Sequence, residues 1–209
     1  MLTLVVAASV SLSAHRRDEY LQAARLALEP VRVTIQLDLT AGIAVADAVL
    51  AAIDRDRSGT ISPEESRAYA GFVLESISLE ADGEPLHLEV TDRRFPVTDA
   101  VRRGEGPIRL ELSAEMPPLP AGPHSLRYRN AHRPDIGVYL ANVLVPASQR
   151  IAISAQRRDV DQRELTVDFV LRADSSAKLP AWFLPIAFAI LAAVATLSYR
   201  ASRETSSMR

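Results

Sequence analysis

The stretch VRVTIQLDL, residues 31–39, decides the fold class, because apolar and polar residues alternate along it without a break. A period of two is typical of a β-strand that buries one face and exposes the other. The segment 20–28 precedes it, and the Glu29-Pro30 pair between them predicts a turn. We therefore expect these two segments to pair as a hairpin.

The rest of the first 171 residues predicts a mainly β fold with one helical interruption. Proline- and glycine-rich joints at 103–107 and 116–123 separate short alternating segments, and many short strands are typical of a β-sandwich. Residues 43–54 and 63–75 instead repeat with helical spacing, so a helix-loop-helix over 43–75 is expected within the β domain. The further predicted strands are 76–80, 86–90, 108–112, 125–129, 138–145, 151–156 and 165–171.

The composition excludes several classes of function. The chain has 209 residues, which is the size of one domain with attachments. Its 24 Lys and Arg nearly balance 26 Asp and Glu, so bulk electrostatic binding to nucleic acid is not expected. The absence of Cys excludes thiolate zinc sites, thiol nucleophiles and disulfide bonds.

Residues 179–199 form an apolar stretch without a charged residue. Its length matches the roughly 20 residues that cross a bilayer, and Trp182 and Tyr199 lie near its two ends, where aromatic rings favour the interface. A buried core helix is the alternative. Three Arg and one Glu follow the stretch, which predicts a cytoplasmic tail at 200–209 and an extracytoplasmic domain at 15–178.

The N-terminus has the features of a signal peptide over residues 1–14. An apolar run at 2–10 is too short to span a bilayer, and small residues follow it before the charged segment 15–19. A first β-strand and a second membrane anchor are the alternatives. Together with the C-terminal stretch, this pattern predicts a single-pass cell-membrane protein whose bulk is periplasmic or extracellular.

The loop between the two predicted helices carries the clearest chemical motif. Its sequence DRDRSGTISPEE, residues 54–65, closely resembles the EF-hand calcium loop. Calcium needs six to eight oxygen ligands at about 2.3–2.6 Å, and a twelve-residue loop can wrap them around one point. Gly59 stands at the sixth position, where the sharp turn favours a residue without a side chain. The predicted ligands are Asp54, Asp56, Ser58, Thr60 through its carbonyl, Ser62 through water, and Glu65 with both oxygens.

Two other motifs share part of the loop sequence. Ser62 and Glu65 also fit a capping box at the start of the second helix, but that motif leaves Asp54, Asp56 and Gly59 unexplained. The Asp-x-Asp motif of haloacid-dehalogenase phosphotransferases should follow a buried strand, whereas the residues before Asp54 have helical spacing. Arg55 and Arg57 and the small number of carboxylates predict weak affinity, with a Kd of about 10⁻⁴–10⁻³ M.

The order of features along about the first 90 residues resembles a known membrane family. The strands of 15–39, the acidic loop 54–65, the helix and strand of 68–79 and the pair Asp82-Gly83 are similar to the extracytoplasmic domain of nickel-permease-like hydrogenase and urease accessory proteins. Those proteins carry a multi-helix membrane domain, whereas this sequence predicts one span. The resemblance implies an accessory or sensing domain near a metal-handling system.

No motif for catalysis is present, and the four histidines are scattered. His15 could chelate copper or nickel with a new N-terminal amine if cleavage follows Ala14. The sequence predicts a membrane-anchored calcium-binding module with a structural or interaction role, which is not an enzyme and whose partners are the membrane and another membrane or extracytoplasmic protein. Two alternatives stay open: an accessory factor for nickel or copper transport, and a hydrolase with a structural calcium ion.

Overall fold

A computed structural model describes residues 18–174 of the chain. The predicted signal peptide at 1–14, the predicted span at 179–199 and the predicted tail at 200–209 lie outside this range. Within 18–174, no helix combines the length and apolar character needed to cross a membrane.

Within the described residues 18–174, ten strands form two sheets of five strands each. The first sheet, which we call sheet A, has the order β5-β6-β2-β1-β8, and sheet B has the order β4-β3-β7-β10-β9. The strands are β1 Tyr20–Glu29, β2 Arg32–Ala41, β3 Ile77–Ala81, β4 Glu84–Pro85, β5 Glu89–Arg94, β6 Ile108–Glu115, β7 Gly122–Asn130, β8 Gly137–Val143, β9 Ile151–Arg158 and β10 Glu164–Leu171.

The opening hairpin is the centre of sheet A. β1 and β2 pair antiparallel from Tyr20 opposite Ala41 to Glu29 opposite Arg32, as the alternation predicted. The second neighbour of β1 is β8, which runs parallel to it with Tyr20 opposite Gly137. Parallel neighbours need a long crossover, and here more than a hundred residues, including most of sheet B, separate the two strands.

Both sheets contribute their inward faces to one hydrophobic core. Ile35 and Leu37 of β2 are fully buried, as are Leu126 of β7 and Val167 of β10, and all belong to the same buried cluster. The core therefore lies between two β layers, the arrangement that a β-sandwich requires. The prediction of a mainly β fold is confirmed.

In the described part of the chain, three helices accompany the sheets: α1 Ala46–Ile53, α2 Pro63–Leu74 and α3 Thr98–Arg102. The first two were predicted, although α1 begins three residues later than expected. α2 starts as its sequence indicates, with Ser62 as N-cap and Pro63 in the first turn. α3 was not predicted, because five residues are too few to establish a helical period.

The prediction of a single strand at 86–90 is wrong. β4 pairs with β3 in sheet B, whereas β5 pairs with β6 in sheet A, so residues 86–88 carry the chain from one sheet to the other. Leu88 is buried in this crossover, and Leu86 packs against the same core. The apolar residues of 86–90 therefore alternate because the segment packs against the core, although it is not one continuous strand.

The strand registers define two ends of the described domain. At one end, which we call the helical end, β2 finishes at Ala41 before α1, and β7 finishes at Asn130 opposite the start of β3, which follows α2. At the other end, which we call the exit end, β10 finishes at Leu171 opposite Gly122. The loop between α1 and α2 thus belongs to the end opposite to the one where the chain leaves the sheets.

Candidate metal centre

The loop 54–65 is held between the facing ends of two helices. Asp54 is the C-cap of α1, and its N–H donates to the carbonyl of Leu50 at 2.8 Å. Ser62 is the N-cap of α2, and its Oγ accepts from the N–H of Glu65 at 3.2 Å. Because Asp54 caps α1 and Glu65 lies in the first turn of α2, the first and last carboxylates of the loop are anchored by secondary structure.

Three predicted ligands converge. Asp54, Asp56 and Glu65 each offer a carboxylate oxygen, and these atoms lie within 4.8 Å of one another. Two oxygens on opposite sides of a calcium ion are separated by up to about 5 Å, so the three can surround one ion. Within residues 18–174, no other group of three or more His, Cys, Asp or Glu side chains converges in this way.

Backbone N–H groups hold the first two carboxylates. The oxygens of Asp54 accept from Ser58 N at 3.0 Å and Gly59 N at 2.9 Å, and an oxygen of Asp56 accepts from Ser58 N at 2.9 Å. A carboxylate oxygen has two lone pairs, so each retains capacity toward an ion after these bonds are made. The loop thereby orients both side chains through its own main chain.

Glu65 closes the loop. Its Oε1 accepts from Arg55 N at 2.8 Å, and its Oε2 accepts from Ser62 N at 3.0 Å and Ser62 Oγ at 2.8 Å. The capping box of Ser62 and Glu65 is therefore present, and Glu65 also accepts a hydrogen bond from Arg55, the second residue of the loop. The two interpretations are compatible, because one side chain caps α2 and joins both ends of the loop.

The same hydrogen bonds keep two of the carboxylates ionised. The N–H of Ser58 lowers the pKa of Asp56, and the N–H of Ser62 lowers the pKa of Glu65. Both groups are negatively charged at neutral pH, which is the state that a cation requires.

The remaining predicted ligands take different positions. Ser58 Oγ lies 3.1 Å from the carbonyl oxygen of Thr60, which brings the fifth- and seventh-position oxygens side by side. Ser62 instead turns its hydroxyl toward the carboxylate of Glu65. That orientation fits the indirect role predicted for Ser62 better than direct ligation.

Gly59 allows the sharp turn that brings these groups together. Its φ is 80°, in the left-handed region that L-residues with a side chain seldom adopt. Nothing lies within 4 Å of the position that a Cβ would occupy, so the requirement is conformational and not steric. Arg57 also has positive φ, at 59°, which adds strain to the same turn.

Sequence reasoning missed the residue that fixes this loop from outside. Thr98, the first residue of α3, donates from Oγ1 to the carbonyl oxygen of Gly59 at 2.7 Å and is buried. Arg102 of α3 pairs with Asp47 of α1 at 3.3 Å. These contacts depend on the tertiary fold, and no local sequence pattern predicts them.

A buried polar network lies behind α2. The hydroxyl of Tyr69 is 2.9 Å from the hydroxyl of Tyr20 and 3.1 Å from Nε2 of His132. The backbone carbonyl of His132 accepts from Gln22 Nε2 at 2.7 Å and from Tyr139 Oη at 2.8 Å. The network ties α2 to both β1 and β8 and so fixes the helix that carries Glu65.

The described histidines do not form a transition-metal site. His132 is fully buried, and burial lowers its pKa to about 4. His124 contacts Asp82 and the carbonyl of Pro120, while His87 lies near Glu89 at the surface. His15, on which the nickel or copper alternative depends, lies outside the described residues.

When the chain is compared with models of protein families, with curated proteins and with solved structures, none of them matches. The resemblance to nickel-permease-like accessory proteins therefore stays a prediction, and the function has to be inferred from the residues themselves.

Proposed function

We propose that this protein is a membrane-anchored, extracytoplasmic β-sandwich that binds one calcium ion in the EF-hand-like loop 54–65, with a structural or interaction role. The observation that supports the proposal is the convergence of Asp54, Asp56 and Glu65 within 4.8 Å across a twelve-residue loop. Ser58 and Thr60 would add neighbouring oxygens, and Ser62 would act through water.

The donor set favours calcium among the biological cations. All candidate ligands are oxygens, which suit hard cations, whereas zinc, nickel and copper favour nitrogen or sulfur. Magnesium demands near-ideal octahedral geometry at about 2.0–2.1 Å, but calcium accepts irregular coordination at longer distances. Oε2 of Glu65 accepts two hydrogen bonds from Ser62, so the bidentate carboxylate that calcium uses at the twelfth position would form when Ser62 releases this oxygen.

The ion would stabilise the junction between α1 and α2. It would replace mutual repulsion among three carboxylates with attraction to one cation. A ligand that binds only the folded state adds RT ln(1 + [L]/Kd) to the free energy of unfolding, which is about 0.4–1.4 kcal/mol at 1 mM calcium for the Kd range expected here. With a Kd of about 10⁻⁴–10⁻³ M, occupancy needs millimolar calcium, which suits a structural ion outside the cell.

The position of the loop supports an interaction role. It lies at the helical end, whereas the chain leaves the sheets at the exit end and continues toward the proposed span at 179–199. The loop is therefore at the end opposite to the point where the described chain leaves the sheets, and a membrane or extracytoplasmic protein would bind the domain there.

Thermal unfolding of the full chain in detergent tests the calcium proposal. We expect millimolar calcium to raise the Tm of the wild type and to leave the Tm of Glu65→Gln unchanged. Gln can replace Glu in a capping box, so this variant removes ligand charge while keeping the cap of α2. Glu64→Gln is the matched control, because Glu64 is exposed on the same helical turn and should retain the full shift.

Two results would overturn the proposal. One is a wild-type Tm that does not respond to millimolar calcium. The other is an equal calcium response in the wild type and in Glu65→Gln, which would mean that calcium acts elsewhere on the protein.

A further inference from the structure

The exit end carries an exposed apolar loop between β8 and β9. We call residues 144–150 the exit loop. Its Val145 is 94 % exposed and its Leu144 is 41 % exposed. The surrounding segment 143–153 contains no Asp or Glu, so its exposed apolar surface is not interrupted by negative charge.

Hydrogen bonds hold this loop against the point where the chain leaves the sheets. Arg172, directly after β10, donates from its backbone N–H to the carbonyl of Arg150 at 2.7 Å and from its guanidinium to the carbonyl of Gln149 at 3.1 Å. At the other side of the loop, the N–H of Leu144 donates to the carbonyl of Leu26 at 2.8 Å. The exit loop is therefore fixed at both sides, with its valine side chain facing outward.

A groove of about 430 Å³ continues the apolar surface along the start of β9. Its lining includes Val143, Pro146, Ile151 and Ile153, and Arg172 borders it. The exit loop and the groove thus form one apolar surface beside the departing chain.

The length of the connecting chain brings this surface close to a bilayer. Seven residues lead from Arg172 to Leu179, the first residue of the apolar stretch, and they reach at most about 25 Å when extended. The headgroup layer of one leaflet is only about 5–8 Å thick. A domain attached through this connection therefore has its exit end within reach of the membrane surface.

We propose that Leu144 and Val145 insert into the headgroup region of the bilayer that holds residues 179–199. This inference rests on the proposed membrane span. Apolar side chains of peripheral proteins enter the boundary between headgroups and acyl chains to a depth of about 5–10 Å. A short tether gives an effective concentration in the millimolar range, so even a small apolar surface remains engaged.

Site-directed fluorescence tests this contact directly, because the chain has no native Cys. The full chain with Val145→Cys carries a bimane label in phosphatidylcholine vesicles that contain a headgroup-nitroxide lipid quencher. Val160→Cys is the matched control, because Val160 is equally exposed but lies in the β9–β10 turn at the helical end. We expect the label at 145 to lose about half of its fluorescence or more, as an interfacial position should, and the label at 160 to lose little.

The outcomes separate the two proposals. If the protein does not float with the vesicles, the membrane span fails and the inference fails with it. If the protein floats but the two labels are quenched equally or neither is quenched, the span stands and the membrane contact of the exit loop is overturned.

Discussion

The Oγ1 atom of Thr98 donates a hydrogen bond of 2.7 Å to the carbonyl oxygen of Gly59, which lies 39 residues earlier in the chain. This bond joins α3 to the middle of the acidic loop. The two flanking helices fix the ends of the loop. The hydrogen bond from Thr98 fixes its central turn at Gly59. A loop fixed at three points loses less conformational freedom when it closes around an ion.

Replacement of Thr98 tests this positioning. Thr98→Val keeps the shape of the side chain but leaves the Gly59 carbonyl without its partner, whereas Thr98→Ser retains the hydroxyl. We expect Thr98→Val to lower the free energy of unfolding by about 0.5–1.5 kcal/mol, because the hydrogen bond to the exposed Gly59 carbonyl is lost. Urea unfolding without calcium measures this cost, and Thr98→Ser should recover most of it.

Calcium titration of the same variants separates positioning from stability. If Thr98 orients the loop, Thr98→Val binds calcium more weakly, by up to about tenfold for each 1.4 kcal/mol of lost loop order. Identical calcium affinities in the wild type, Thr98→Val and Thr98→Ser would restrict Thr98 to a role in stability.

Replacing either of two glycines by alanine should change the free energy of unfolding, but in opposite directions. Gly59 has a φ of 80°, so Gly59→Ala should destabilise the protein by about 1 kcal/mol. Gly71 lies inside α2 with no atom within 4 Å of its Cβ position, so Gly71→Ala should stabilise by about 0.5–1 kcal/mol. Chemical denaturation of both variants measures the pair. A Gly59→Ala protein as stable as the wild type would contradict the turn geometry described for the loop.

Stability should fall as the solution is acidified from neutral pH. Burial lowers the pKa of His132 to about 4, below its ordinary value of 6.5. Above pH 6.5 His132 is neutral in both the folded and the unfolded state, so its full contribution to stability is present. As the pH falls toward 4 the unfolded chain binds a proton that the folded protein does not, so up to about 3 kcal/mol is lost in that window.

His132→Gln provides the comparison for this pH dependence. Glutamine can still hydrogen-bond Tyr69 but does not titrate, so its loss of stability between pH 7 and pH 4.5 should be smaller than that of the wild type. Urea unfolding at several pH values gives the slopes. Parallel profiles for the two proteins would show that other groups control the acid transition.

Much of the fold follows from local patterns in the chain. The alternation of Val33, Ile35, Leu37 and Leu39 predicts the buried face of β2, and all four side chains are buried. Val31 continues the same pattern but is 68 % exposed, because it lies in the turn before β2. Period alone cannot distinguish a strand residue from an apolar residue in the adjacent turn.

The unpredicted features all depend on distant parts of the chain. The parallel pairing of β1 with β8, the crossover of residues 86–88 between sheets, and the bond from Thr98 to Gly59 have no local periodicity or motif. The acidic loop is different, because its ligands lie within twelve residues and its turn requires a glycine. Its convergence was therefore predictable, whereas the α3 residues that support it were not.

Equilibrium calcium binding to the full chain tests the central claim most directly. Isothermal titration with millimolar calcium should give one site per chain with a Kd of about 10⁻⁴–10⁻³ M. Asp54→Asn should abolish binding, because it removes the charge of the buried carboxylate at the first loop position. Glu64→Gln, in the exposed first turn of α2, should bind as the wild type does. No binding by the wild type at millimolar calcium, or binding that survives in Asp54→Asn, would contradict the proposed centre.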